Sequence, residues 1–97
     1  MHTKKAVLNA FKDAYNAIAE FNKIKEIYET RLRLEQASKS TLDLAQLQYL
    51  NGVIGYMDLL DAQRGYLDAQ IGLSNAVRDK QISMVNLYKA LGGGWQE

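Results

Sequence analysis

Residues Tyr49 to Arg64 read Y-L-N-G-V-I-G-Y-M-D-L-L-D-A-Q-R, and the path of the chain through them decides the fold. Gly52 and Gly55 interrupt a run of good helix formers in a sequence without a single proline. Asn51 and Gly52 tolerate the left-handed backbone that closes a helix C-terminus. Gly55 suits the N-cap of a following helix that begins at Tyr56. Ile54 and Leu59 then take the two positions of a hydrophobic staple, and Asp58 and Asp61 stand in the first turns, where the helix dipole favours anions. A tight turn over residues 51–55 between two long helices is the expected result.

Upstream of the turn, residues 4–50 read as one helix. Steps of three and four from Val7 pass through Ala10, Ala14, Ala17, Phe21, Ile24, Tyr28, Arg31, Glu35, Ser38, Leu42, Ala45 and Tyr49. Most of these are apolar or aromatic, which is heptad spacing rather than strand alternation. Arg31, Glu35 and Ser38 break the series, while Ile27, Leu34, Ala37 and Leu44 lie one residue earlier. The buried stripe is therefore expected to change faces in mid-helix. Ser38-Lys39-Ser40-Thr41 is the weakest stretch for helix propensity, and a kink or a break capped by Ser40 or Thr41 is the alternative there.

Downstream, residues 56–91 read as the second helix. The same stepping gives Leu59, Ala62, Tyr66, Ala69, Leu73, Ala76, Lys80, Ser83, Leu87 and Ala90. Ala62, Ala69, Ala76 and Ala90 lie on a stripe of small residues that lets another helix approach closely, with large residues filling the gaps. A patchier stripe holds Met57, Leu60, Leu67, Ile71, Val85 and Tyr88. Lys89 suits the last turn, and Gly92-Gly93-Gly94 opens a glycine-rich tail over residues 92–97. The fold class is all-α: a single long antiparallel coiled-coil hairpin. Two helices cover one stripe each, so the remaining apolar stripes call for further helices in a bundle or barrel.

Composition narrows the function. The 12 basic and 11 acidic side chains are interleaved and leave a net charge of +1, which does not make a nucleic-acid footprint. Without cysteine there is no disulfide or thiol chemistry. No apolar run approaches the ~18 to 20 residues of a membrane-spanning helix, and no signal peptide is visible. His2 is the one histidine, at the terminus, so no Ser/His/Asp or Cys/His set can be assembled. An enzyme is the least favoured reading, and no cofactor or metal site is expected.

Other side chains have ordinary explanations. Glu29 with Arg33 and Glu35 with Lys39 have the spacing of surface i, i+4 pairs. Lys4, Lys5 and Lys12 fit a solvated face. Tyr49, Tyr56 and Tyr66 fit seam positions with a wet hydroxyl. Asp58 and Asp61 share a helix face; dipole complementation explains them, and a ring of carboxylates around an assembly axis is the functional alternative. Val53 has no role in the turn and suits a docking knob. Trp95 has no evident structural reason.

Tyr49-Leu50-Asn51-Gly52, Tyr56 to Leu60 and Asp61-Ala62-Gln63-Arg64 resemble the Y-x-x-G-x-x-x-Y-x-x-x-L-D-A-Q-R signature of TolC-like outer-membrane factors. Leu87-Tyr88-Lys89-Ala90-Leu91-Gly92-Gly93-Gly94-Trp95 resembles the L-Y-K-A-L-G-G-G-W ending of the drug and metal efflux branch. Val7 to Ala14 is similar to the segment that re-enters the periplasm, so the likeness spans essentially residues 5–95.

The resemblance implies the C-terminal hairpin of a trimeric export duct, in the periplasmic part of a Gram-negative outer-membrane protein. It implies that a periplasmic adaptor docks at the tip formed by Asn51, Gly52, Val53, Ile54, Gly55 and Tyr56. It implies too that Tyr49, Asp58 and Asp61 help close the pore, while Ile54 replaces an arginine used in some members. The lipid-attachment cysteine, the barrel strands and the first half of the repeat are not in this sequence, so a fragment that does not conduct alone is expected. Self-association is expected as well, as a trimer in the full-length family or a four-helix dimer of the isolated chain. An adaptor hairpin and a purely structural coiled coil are the alternatives.

Overall fold

A computed structural model describes residues 4–92, so Gly93, Gly94 and Trp95 of the glycine-rich tail, and His2, lie outside the described residues. Helix α1 is Lys4–Leu50 and helix α2 is Tyr56–Gly92, with no strand among the described residues. They fold back on each other as an all-α antiparallel hairpin, a rod of 76 × 15 × 14 Å. The length follows from a rise of about 1.5 Å per residue over the 47 residues of α1.

The reversal is built from two caps. Gly52 has φ +72°, the left-handed conformation that glycine adopts without a Cβ penalty. Its N–H donates to the Tyr49 carbonyl at 3.1 Å, and the Val53 N–H donates to the Gln48 carbonyl at 2.8 Å. That pair of bonds is a Schellman motif, which satisfies carbonyls that the last turn of α1 would otherwise leave open. The Asn51 amide adds a 2.7 Å bond to the Leu47 carbonyl. On the other side, the Gly55 N–H donates to Asp58 Oδ2 at 3.2 Å, with Asp58 at the third helical position. This is the reciprocal half of a capping box. Leu59 is buried and Ile54 half-buried, at the two staple positions.

The seam of α2 follows its heptad stripe throughout. Leu59, Ala69, Ala76 and Ser83 are buried, and Ala62, Tyr66, Leu73, Lys80, Leu87 and Ala90 are half-buried. On α1, Ala14, Ala17, Phe21, Ile24 and Tyr28 face inward, and so do Leu32 in place of the exposed Arg31, then Glu35, Ser38, Leu42 and the buried Ala45. The expected mid-helix change of face does not occur: Ile27, Leu34, Ala37 and Leu44 are exposed. Glu35 stays in the seam because the Tyr66 hydroxyl donates to its Oε2 at 3.1 Å. Nor is there a break at Ser38–Thr41. Each of these residues costs only about 0.5 kcal/mol of helix propensity, and Ser38 and Leu42 pack inward on either side.

Two ends of the predicted α1 stripe also differ. Val7 and Ala10 are exposed, as is every described residue before Ala14. At the other end Gln48 is half-buried, while Tyr49 rotates outward toward Tyr56. The expected surface pairs are replaced: Arg33 donates to Thr30 Oγ1 at 3.4 Å, and the Glu35 carboxylate is turned to Tyr66. Arg78 and Asp79, 3.4 Å apart and exposed, form an ion pair worth little.

Two glycines inside α2 behave differently. A Cβ at Gly72 would lie 3.1 Å from Arg31 Nη1, because that side chain crosses the helix there. A Cβ at Gly65 meets nothing within 4 Å. Gly65→Ala should therefore stabilise the isolated chain by about 0.5–1 kcal/mol through helix propensity alone. Thermal denaturation should show the gain, and Gly72→Ala should show less of it because Arg31 must shift. Equal gains at the two sites would remove Arg31 as a constraint.

Candidate functional site

The site is the tip, where the two caps set the geometry. The Schellman bonds hold the backbone of Tyr49 through its carbonyl, and the Tyr49 ring meets that of Tyr56 across the turn. Their centroids are 5.9 Å apart and the planes inclined by 53°. Tilted aromatic pairs at this separation add about 0.5–1.5 kcal/mol beyond area burial, less when wet. Tyr49 and Tyr56 are both partly open to solvent, so the pair has an accessible face.

Of the two carboxylates, Asp58 is engaged in the cap and also complements the positive end of α2. Asp61 lies one turn further on and is exposed. The dipole and capping account of Asp58 thus has a visible partner, the Gly55 N–H. Asn51, Gly52, Val53, Gly55 and Tyr56 are exposed, with Ile54 half-buried between them. Val53 has 68% of its surface open, which is large for an aliphatic side chain with no part in either cap.

Sequence reasoning missed two members of this surface. Leu50 is 81% exposed and Met57 69%, each beside the turn and off the seam. The signal was available in their position: each is at a helix end and outside the three-and-four series that faces the partner helix. It also missed the aromatic pairing of Tyr49 with Tyr56, because Tyr49 was read as a seam residue. The proposed packing alanines are elsewhere, along the rod, with Ala69 and Ala76 buried and Ala62 and Ala90 half-buried.

Electrostatics along the seam centre on Tyr66. Burial in the seam pushes its phenol above the ordinary value, and the Glu35 carboxylate that accepts its proton adds to this, with Asp43 contributing. A raised folded-state value means that the neutral phenol stabilises the hairpin. The contribution is complete below the unfolded value of about 10 and is lost as pH rises through the higher folded one. The melting temperature of the wild-type chain should then fall more steeply above about pH 10 than that of Tyr66→Phe. Parallel curves would show that ionisation of Tyr66 is not felt by the fold.

Among the described residues no three His, Cys, Asp or Glu side chains group to hold a metal ion. No described helix is long and apolar enough to cross a membrane.

Comparison with known proteins places these features in a family context. Residues 2–93 match the model of the outer membrane efflux protein family. The chain is 35% identical over 94 residues to a probable efflux pump outer membrane protein, TtgC, of Pseudomonas putida, covering 97% of this chain and 19% of that protein. It is 31% identical over 91 residues to the probable outer membrane lipoprotein SilC of Salmonella typhimurium, covering 94% of this chain and 20% of that protein. A cation efflux system protein, CusC, of Escherichia coli is likewise 31% identical over 91 residues, with 94% and 20% coverage. The chain thus spans about a fifth of the length of the curated relatives it matches. No solved structure matches it.

Proposed function

The chain belongs to the outer membrane efflux protein family, and on that basis we propose that it is the tip-bearing α-hairpin of an export channel's periplasmic α-barrel. In this reading Asn51, Gly52, Val53, Ile54, Gly55 and Tyr56 form the surface on which a periplasmic adaptor of a tripartite pump docks. Tyr49, Asp58 and Asp61 narrow the duct at the same end. The hairpin itself carries out no covalent chemistry. It acts by holding a docking tip and a constriction at the end of a stiff rod, on the periplasmic side of the outer membrane.

The observation that supports the reading best is the exposed apolar tip. Val53, Leu50 and Met57 stand open beside two caps that fix the backbone beneath them, a rigid presentation that suits tip-to-tip recognition. A structural coiled coil gains nothing from such a tip. The family that matches is that of the outer-membrane component, which favours the channel over the adaptor-hairpin alternative.

Assembly into a barrel is supported by the apolar faces left outside the seam. Ile27, Leu34 and Leu44 on α1, and Leu67, Ile71 and Val85 on α2, are exposed. Ile27, Thr30, Arg31 and Leu34 border a shallow hollow of about 380 Å³ on α1, at the i, i+3, i+4, i+7 spacing of a hole that receives a knob from another helix, with Lys23 and Glu26 extending its rim. We expect light scattering of the isolated chain to report a mass that rises with concentration toward a dimer. Ile27→Glu with Leu34→Glu should return it to the monomer. A wild-type chain that stays monomeric throughout the series would contradict the assembly reading. Addition of a purified periplasmic adaptor should give a complex that Val53→Glu abolishes. Indifference to the adaptor would leave a structural coiled coil as the better account.

A further inference from the structure

Between Ile27 and Ala45, helix α1 has two stripes of similar apolar content to offer its partner, and it turns inward the one that carries a carboxylate. The outward stripe reads Ile27, Arg31, Leu34, Ala37, Thr41 and Leu44; the inward one, a single residue further on, reads Tyr28, Leu32, Glu35, Ser38, Leu42 and Ala45. One residue corresponds to a roll of about 100° about the helix axis. Each stripe has four apolar or aromatic residues in six, so apolar burial alone leaves the choice nearly open.

We propose that Glu35 and Tyr66, seconded by Tyr28 and Lys80, select which face of α1 packs against α2. The Tyr66 hydroxyl donates to Glu35 Oε2 at 3.1 Å. About four turns further along α2, Lys80 Nζ lies 4.3 Å from the centroid of the Tyr28 ring, a cation–π contact across the same seam. Between them the Arg31 side chain crosses α2 at Gly72, where no Cβ blocks it. All three contacts are made by the inward stripe or its edge. A one-residue roll would bring Leu34 toward Tyr66 and leave the phenol without its acceptor, and it would carry Tyr28 off Lys80.

A polar group left unmet in a seam costs more than the same bond contributes when made, so these pairs act chiefly against the wrong face. The consequence is that Ile27, Leu34 and Leu44 remain outside.

The test uses the 97-residue chain, which has no native thiol. Cysteine is introduced singly as Leu34→Cys or Ser38→Cys, and the rates of maleimide labelling are compared by their ratio. Labelling is run at two protein concentrations, because protection by a second copy varies with concentration and protection by α2 does not. In the wild-type background position 34 should react several-fold faster than position 38. Tyr66→Phe should shrink or invert that ratio, and adding Glu35→Leu to Tyr66→Phe should restore it, since no carboxylate is then left unmet. If Tyr66→Phe loses its helical circular dichroism, Glu35→Ala removes the same bond from the other side and is expected to shrink the ratio too. A ratio that Tyr66→Phe or Glu35→Ala leaves unchanged in a folded chain overturns the proposal. So does a failure of Glu35→Leu to restore it.

Discussion

Gly52→Val should melt the isolated hairpin roughly 10–20 °C below the wild type, while Gly52→Asn should come close to it. The defect is conformational: at φ +72° an added Cβ meets nothing within 4 Å, so no clash with a neighbour contributes. An L-residue in the left-handed region costs about 1–2 kcal/mol, and a β-branched one more. If the backbone escapes that strain, the bonds from the Gly52 and Val53 N–H groups to Tyr49 and Gln48 are lost, each worth about 1 kcal/mol. A total near 2–3 kcal/mol corresponds to the shift stated, at about 4–8 °C per kcal/mol for a chain of this size. Asparagine visits the left-handed region readily and keeps both N–H donors.

The same pair of variants tests the proposed docking role in the full-length protein. There Gly52→Val should abolish transport without preventing trimer formation, because the packing stripes lie along the rod and not at the apex. Gly52→Asn, which keeps the turn, should keep transport if the glycine serves the backbone. Its loss in a correctly folded Gly52→Asn channel would mean that a partner approaches this backbone too closely for any side chain. Undiminished efflux by Gly52→Val would count against the tip as a docking element.

The fold was legible in the sequence where local chemistry and heptad period agree. At Asn51–Gly55 the only left-handed position falls on a glycine, and Asp58 is where a capping acceptor is needed, so the reversal follows from residue types alone. Along α2 the large and small residues alternate on one stripe, leaving a single choice of inward face. Along α1 the period was legible but the face was not. The stripe of Ile27, Leu34 and Leu44 and the stripe of Leu32, Leu42 and Ala45 are about equally apolar, and the contact that marks the inward one, Glu35 with Tyr66, joins residues 31 apart in sequence. Contacts of that kind are invisible to any window reading of one helix. Tyr49 was misplaced for a related reason: the last turn of α1 answers to the cap and to Tyr56, not to the seam. At the tip the type of surface could be anticipated from Val53, whereas the openness of Leu50 and Met57 needed the helix ends to be placed.

The other large effect is expected from filling the small-residue stripe: Ala69→Leu with Ala76→Leu should leave the isolated chain largely unfolded at 25 °C. Both alanines are 4% exposed, as closed as any side chain among the described residues, and both face α1. Three further carbons at each have no room unless the helices separate, and overpacking of this kind costs about 1–3 kcal/mol per site. The sites are two turns apart, about 10 Å, so their effects should nearly add, to about 2–6 kcal/mol. A domain of this size holds about 5–15 kcal/mol, and this one belongs near the lower end. No large side chain among the described residues is fully buried, and the rod presents much of its apolar surface to water. Ala37→Leu supplies the control: it is the same change on an exposed face of α1 and should move the melting temperature little. If the double variant melts at or above the wild-type temperature, added apolar area has outweighed crowding. Close approach of the two helices would then not be what the alanine stripe provides, and Ser83, buried on that same stripe, would lose its explanation as a small residue chosen for fit.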